Sequence, residues 1–148
     1  MKIIRTNPKV NLPTKATSGS AGFDLQAAIE SEIEILPMQS ILIPTGLKIY
    51  IEDPNLVGCI FPRSKAGAKL GIVLGNLTGV IDSDYQGEWF VSVLNRNLDK
   101  PVTIKPYESI AQVVFFNLPQ VTFEEVESFD VVTERNDGGI SKDVDTKG

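Results

Sequence analysis

Two carboxylates in close order, Asp82 and Asp84, follow a short apolar run, Val80-Ile81, and precede Tyr85 and Gly87. The stretch that contains them, Gly71 to Glu88, reads GIVLGNLTGVIDSDYQGE, with Gly75 and Gly79 flanking an Asn-Leu-Thr turn. An aspartate directly after an apolar strand is held at the edge of a core with its solvation limited, which is where a carboxylate can serve as a general base. Glycines at this density mark tight turns or places where the backbone approaches a ligand closely. The same residues would equally make a polar β-hairpin whose aspartates cap turns. A second cluster is Arg63-Ser64-Lys65, just after Pro62. Ser64 is a candidate N-cap for a short helix running to Lys69, which Gly67 weakens. A helix start beside two cations offers a phosphate free N–H groups, a hydroxyl and positive charge. The alternative is an ordinary surface turn with incidental charges.

Composition limits what chemistry is open to these groups. The 148 residues contain no histidine, so the commonest general base and the commonest zinc ligand are both missing. Acid–base work must fall to carboxylates, lysine or tyrosine, and any metal is expected to be a hard, oxygen-ligated ion such as Mg²⁺. The single cysteine, Cys59, lies in the apolar run from Leu56 to Phe61 and is expected to be a buried structural thiol, with no disulfide framework within the chain. A net charge of −5 argues against a general nucleic-acid surface, so a polyanionic ligand must be drawn by a local basic cluster and a metal ion. No apolar run approaches the roughly 20 residues that span a membrane, and MKIIRTNPKV lacks a signal-peptide core, so a cytoplasmic protein is expected.

The elements that must position these groups read as strands. Glu32 to Leu36 alternates with period two. Leu47, Ile49 and Ile51 share one face, and Trp89, Val91 and Val93 alternate with Phe90, Ser92 and Leu94. Val102 and Ile104 alternate with Thr103 and Lys105. Ile110 through Phe116 is nearly continuously apolar, as in a strand covered on both sides, and Val121-Thr122-Phe123 begins another. Turn signals separate them at Leu36-Pro37, Asp53-Pro54-Asn55, Asn97 to Pro101, Pro106 and Pro119. Many short strands at close spacing predict one all-β domain, a sandwich, jelly roll or barrel. From Glu127 the pattern decays, and the polar, Gly-rich end reads either as a mobile tail or as an arm able to fold over an anion through Arg135.

Five segments in order resemble the motifs of the trimeric dUTPase family (deoxyuridine triphosphate nucleotidohydrolases). They are Ala21 to Ala28 (AGFDLQAA), Pro62-Arg63-Ser64, Gly75 to Gly87, Glu108 to Gln112 (ESIAQ) and Arg135 to Gly139 (RNDGG). The resemblance implies a jelly-roll-like distorted β-barrel over residues 1–134, with one short helix after Ser64 and a flexible C-terminal arm over 135–148. It implies a homotrimer whose sites are shared between subunits, and hydrolysis of dUTP to dUMP and pyrophosphate with Mg²⁺ on the triphosphate. Asp82 is then the base for water attacking the α-phosphorus. Arg63, Ser64 and the backbone N–H of Lys65 hold phosphate oxygens. Gln112 holds a phosphate or a metal-bound water, and Asp24 joins that network; no direct protein ligand to the metal is expected. A hairpin from Asn76 to Phe90 reads the nucleoside: the Asn76 amide and backbone groups of Gly79, Val80 and Ile81 match the uracil edge, and Tyr85 packs on the deoxyribose and excludes a 2′-hydroxyl. Arg135 contacts the γ-phosphate.

The chain departs from the family pattern twice. Lys65 stands where the second motif continues with glycine, which keeps the backbone N–H and loses backbone freedom. Ile140, followed by Ser141-Lys142-Asp143, stands where the fifth motif has a phenylalanine that stacks on uracil. An aliphatic lid over the base is the expectation. Two other activities compete: a dCTP deaminase-type enzyme of the same fold, disfavoured by the Ile-Asp-x-Asp-Tyr run, and a non-catalytic nucleotide-sensing or protein-binding module, favoured only by the altered fifth motif.

Overall fold

A computed structural model describes residues 1–135. Among the described residues there are ten strands: β1 (Lys2–Arg5), β2 (Phe23–Gln26), β3 (Ile33–Ile35), β4 (Ser40–Tyr50), β5 (Leu56–Pro62), β6 (Ile72–Leu74), β7 (Gly79–Ile81), β8 (Glu88–Asn95), β9 (Val102–Ile104) and β10 (Ser109–Asn117). One sheet has the order β1-β4-β8-β6, a second β2-β10-β5-β7, and β3 pairs with β9 in a ribbon. The all-β expectation is met, but these sheets do not close into a barrel.

Alternation explains the layering. In β8, Trp89, Val91 and Val93 are buried and Phe90 is exposed, because successive side chains leave a strand on opposite faces. Leu47, Ile49 and Ile51 likewise turn inward. One core cluster joins these to Leu25, Ile60 and Val113 of the second sheet and to Ile35 and Ile104 of the ribbon. The second sheet's outer face is also apolar. The register sets Cys59 opposite both Val80 and Val114, with Phe61 and Phe116 on the same face and their rings 6.3 Å apart edge-on. Cys59 is therefore half-buried on that outer face, not buried in the core as the sequence suggested.

Three further expectations fail for identifiable reasons. Val121 to Phe123 forms no strand: the chain leaves the sheet after Asn117, and Phe123 is 98% exposed. Within β10, Ile110, Ala111 and Val113 are buried while Phe116 is exposed, so that strand is covered on both sides only near its start. Asn76 to Phe90 is not a paired hairpin. β7 bonds to β5 in the second sheet, whereas β8 lies between β4 and β6 in the first.

Ion pairs tie the start of β1 to the loop after β4. Glu52 accepts from Lys2 Nζ at 2.5 Å and lies 3.1 Å from the Met1 amino group. Those contacts, Lys2 first, hold its carboxyl below the ordinary value of 4.5. A depressed carboxyl stabilises the fold above its unfolded-state pKa, and that contribution is lost as pH falls through the lower folded-state value. Thermal melts of wild type and Glu52→Gln should therefore differ modestly at neutral pH and converge in acid below 4.5. A gap that persists in acid would show that the ion pair is not its source.

Candidate active site

Most of the sequence-predicted residues gather in two places. The first is a cavity of about 280 Å³ lined by Asp24, Arg63, Ser64, Lys65 and Gln112, with Gly22, Ala16 and Ser20. Asp24 on β2 is in register with Gln112 on β10, which is in register with Phe61 on β5, so all three share one row on the outer face. Arg63, two residues beyond Phe61, continues that face. Its Nε lies 3.1 Å from Asp24 Oδ1, and its Nη1 donates to Ser109 O at 3.4 Å. Gln112 Nε2 donates to Pro62 O at 3.1 Å. Gly22 leaves room for that amide, since a Cβ there would come within 2.3 Å of Gln112 Oε1.

After Arg63 the chain makes the expected short helix, a π-helical turn over Ala66–Leu70. Its N-cap is Lys65, not Ser64, and no side chain caps it. Lys65 has φ −65° and ψ −38°, the right-handed helical region open to any residue, so the glycine of the family pattern is not needed for this conformation. Ser64 and Lys65 are both exposed, with their polar groups available to a ligand in the cavity.

The second place surrounds Asp82, which follows β7. Asp82 lines a cavity of about 270 Å³ with Val80, Ile81, Tyr85, Glu88, Trp89 and Phe90, and a larger one of about 650 Å³ that includes Glu52, Ser83 and Asp84. It is exposed, against the expectation of limited solvation, because β7 is the outermost strand of its sheet. Two backbone bonds fix the loop: Tyr85 N–H donates to Asp82 O at 3.3 Å, and Glu52 N–H to Ser83 O at 3.0 Å. The Tyr85 hydroxyl donates to Glu88 O at 3.1 Å. Asn76 lies exposed in the turn before β7, where the left-handed residue is Leu77 (φ 63°) and not a glycine. Val80, Tyr85 and Phe90 leave an exposed apolar surface beside the carboxylate.

The register separates the two places. Ile81 sits opposite Gly58 near the start of β5, and Arg63 follows Pro62 at its other end. At about 3.3 Å per residue, Asp82 and Arg63 of one chain are roughly 15–20 Å apart along the strand. Arg135 is exposed at the end of the described chain, and Ile140 lies outside the described residues. Sequence reasoning missed Ala16 and Ser20 in the first cavity, although the run Thr17-Ser18-Gly19-Ser20 directly precedes the first motif.

The donor set bears on the metal question. Among the described residues no group of three or more His, Cys, Asp or Glu side chains could hold an ion. Asp24 and Gln112 instead supply hard oxygens beside a cation, which suits waters on a Mg²⁺ carried by phosphates.

An all-β scaffold that presents an aspartate in one cavity and an arginine, a serine and a lysine in another has the parts of a phosphoryl-group hydrolase. The dUTPase family profile matches residues 8–143. A deoxyuridine 5'-triphosphate nucleotidohydrolase of Salmonella typhimurium and another of Salmonella typhi are each 53% identical over 136 residues, covering 92% of this chain and 89% of theirs. The chain belongs to the dUTPase family. Its fold is also that of solved phage enzymes. A Staphylococcus bacteriophage 80alpha dUTPase mutant with dUpNHpp superposes with TM-score 0.81 at 21% identity, covering 93% of this chain and 94% of that one. A mutant dUTPase of Staphylococcus aureus phage phi11, described with a structural Mg(II) ion, superposes with TM-score 0.78 at 19% identity, covering 88% and 98%.

Proposed function

We propose that the protein hydrolyses dUTP to dUMP and pyrophosphate, which lowers dUTP and supplies dUMP for thymidylate synthesis. The observation that supports this best is family membership over residues 8–143, together with Asp82, Arg63, Ser64 and Gln112 each lining a cavity. Asp82 accepts a proton from the attacking water as the new oxygen–phosphorus bond forms at the α-phosphorus. The bond from that phosphorus to the bridging oxygen breaks, and pyrophosphate leaves. Arg63, the Ser64 hydroxyl and the Lys65 N–H neutralise phosphate oxygens, and Arg135 contacts the γ-phosphate. Bound Mg²⁺ would supply further charge neutralisation on the triphosphate, with Asp24 and Gln112 accepting from or donating to its waters. Asn76 and the backbone of Gly79, Val80 and Ile81 read uracil, with Tyr85 and Phe90 against the sugar and base. The arm expected over residues 135–148, with Ile140 as its aliphatic cover, lies outside the described residues beyond Arg135.

The site is assembled between subunits of a homotrimer. A phosphate chain is shorter than the roughly 15–20 Å between Asp82 and Arg63 along β5, which supports a site in which the two cavities meet across an interface. The apolar outer face between them, Cys59, Phe61, Val80, Val114 and Phe116, is a surface that association would bury. The compartment we propose is the cytoplasm, in keeping with the free Cys59 thiol.

The reading is tested by pyrophosphate release from dUTP, dCTP, dTTP and UTP, with and without Mg²⁺. Cleavage of dUTP at least a hundredfold faster than of the others is expected, because a buried edge matched to uracil leaves groups unpaired against cytosine. Ammonia release from dCTP would identify a deaminase instead, and binding without turnover a sensor.

A further inference from the structure

We infer that Arg96 and Asn97 are positioning residues for phosphate binding, acting through the π-helical turn that follows Arg63-Ser64-Lys65. The inference rests on the proposed role of that tripeptide. A five-residue turn does not hold its shape alone, since helix nucleation is unfavourable and this turn has no side-chain N-cap. Its fixing comes from the far end of β8. Arg96 Nη2 donates to Gly67 O at 2.8 Å, and Gly67 N–H donates to Arg63 O at 3.2 Å. One short chain of bonds thus links the Arg96 guanidinium to the backbone of the phosphate-facing arginine.

Asn97 closes the other end of the turn. Its Nδ2 donates to Leu70 O at 2.9 Å and to Asn95 Oδ1 at 2.8 Å. Asn95 is fully buried and spends its own amide on Ile35 O at 3.0 Å and Lys100 O at 2.9 Å, so the clamp is rooted in the core. Gly71, at φ 74°, caps the turn and donates to Ala66 O. A Cβ there would lie 2.5 Å from Asn97 Oδ1, so the chain reverses against the clamp only because this residue is glycine. Arg96 N–H to Gly71 O, at 2.9 Å, completes the attachment. Nothing in this set touches the substrate cavity. Its effect is to hold Ser64 and Lys65 in the conformation that presents their N–H and hydroxyl groups before a ligand arrives, which is where pre-organisation gains affinity.

The test uses the full chain with Arg96→Ala, Arg96→Lys and Asn97→Ala. The readouts are kcat and KM for dUTP and the inhibition constants of inorganic triphosphate and of deoxyuridine, with melting temperature as the check on folding. Arg96→Ala and Asn97→Ala should each raise KM about tenfold and weaken triphosphate inhibition in parallel. Deoxyuridine inhibition and kcat should stay within about threefold. Arg96→Lys, which keeps one donor for Gly67 O, should recover much of the loss. Unchanged KM with a lowered melting temperature, or equal weakening of deoxyuridine and triphosphate, would overturn the inference. Wild-type turnover of dUTP is measured in the same series. Its absence would count against the proposed activity, while triphosphate binding by wild type and variants would still decide the clamp.

Discussion

Asp82→Asn should lower kcat for dUTP by about a thousandfold while KM stays within about threefold. Asparagine keeps the size of the side chain and leaves the Tyr85 N–H to Asp82 O bond intact, because that bond uses backbone atoms. What is lost is the ability to take a proton from water, and a positioned general base contributes roughly a hundredfold to ten-thousandfold. The charge also disappears from the cavity, which favours a polyanionic substrate in the ground state, so KM has no reason to rise. Steady-state pyrophosphate release, with dUTP binding measured by calorimetry, separates the two effects. Asp82 is exposed on a loop in the single chain, so the melting temperature should be unchanged. Retained turnover in this variant would remove the base from the mechanism.

Mixing two inactive variants should restore activity. Arg63→Ala removes the guanidinium that pairs with Asp24 and lines the cavity proposed to hold phosphate, and should cost a hundredfold or more in kcat/KM. Alone, neither it nor Asp82→Asn forms a complete site. If each site takes Asp82 from one subunit and Arg63 from its neighbour, random co-assembly of the two variants regenerates intact sites at about a quarter of the interfaces of a symmetric oligomer. Refolding an equimolar mixture and assaying dUTP cleavage should return about a quarter of wild-type activity. Restoration cannot occur if both groups of one site come from the same chain. The experiment therefore tests the interface directly, on the geometric ground that Arg63 follows one end of β5 while Asp82, after β7, lies beside the other.

Local patterns were legible where burial is decided by neighbours in sequence. The alternation in β8 and the inward face of Leu47, Ile49 and Ile51 came through unchanged, because a strand with one face in a core must alternate. Pairing was not legible. The residues from Asn76 to Phe90 look like a hairpin by turn signals and spacing, yet β7 finds its partner in β5 through contacts that no short window of sequence encodes. Val121 to Phe123 has strand-like residues but no strand beside it among the described residues, and β-propensity measures fit to a neighbour more than an intrinsic backbone preference. At the candidate site, residue identities came from residue chemistry and motif resemblance; Asp24, Arg63, Ser64, Lys65, Val80, Ile81, Asp82, Tyr85, Phe90 and Gln112 line cavities, whereas Asn76, Gly79 and Arg135 do not line these. Their division between two cavities came only from register. Lys65 shows the limit of reading by family pattern: glycine at that position suggested an unusual backbone, but the conformation is ordinary helix. The Arg96-Asn97 clamp left no signal in the sequence, since an arginine and an asparagine in a polar loop are unremarkable without the carbonyls they meet.

The position of β7 has a consequence for solubility. As the outermost strand it offers unpaired backbone groups to any stray chain, the kind of template from which aggregates grow. Three residues is a short landing, and the two carboxylates that end it repel an extended segment trying to lengthen the sheet. The Asp82 charge thereby also works against such pairing, and neutralising it for mechanistic work weakens that barrier.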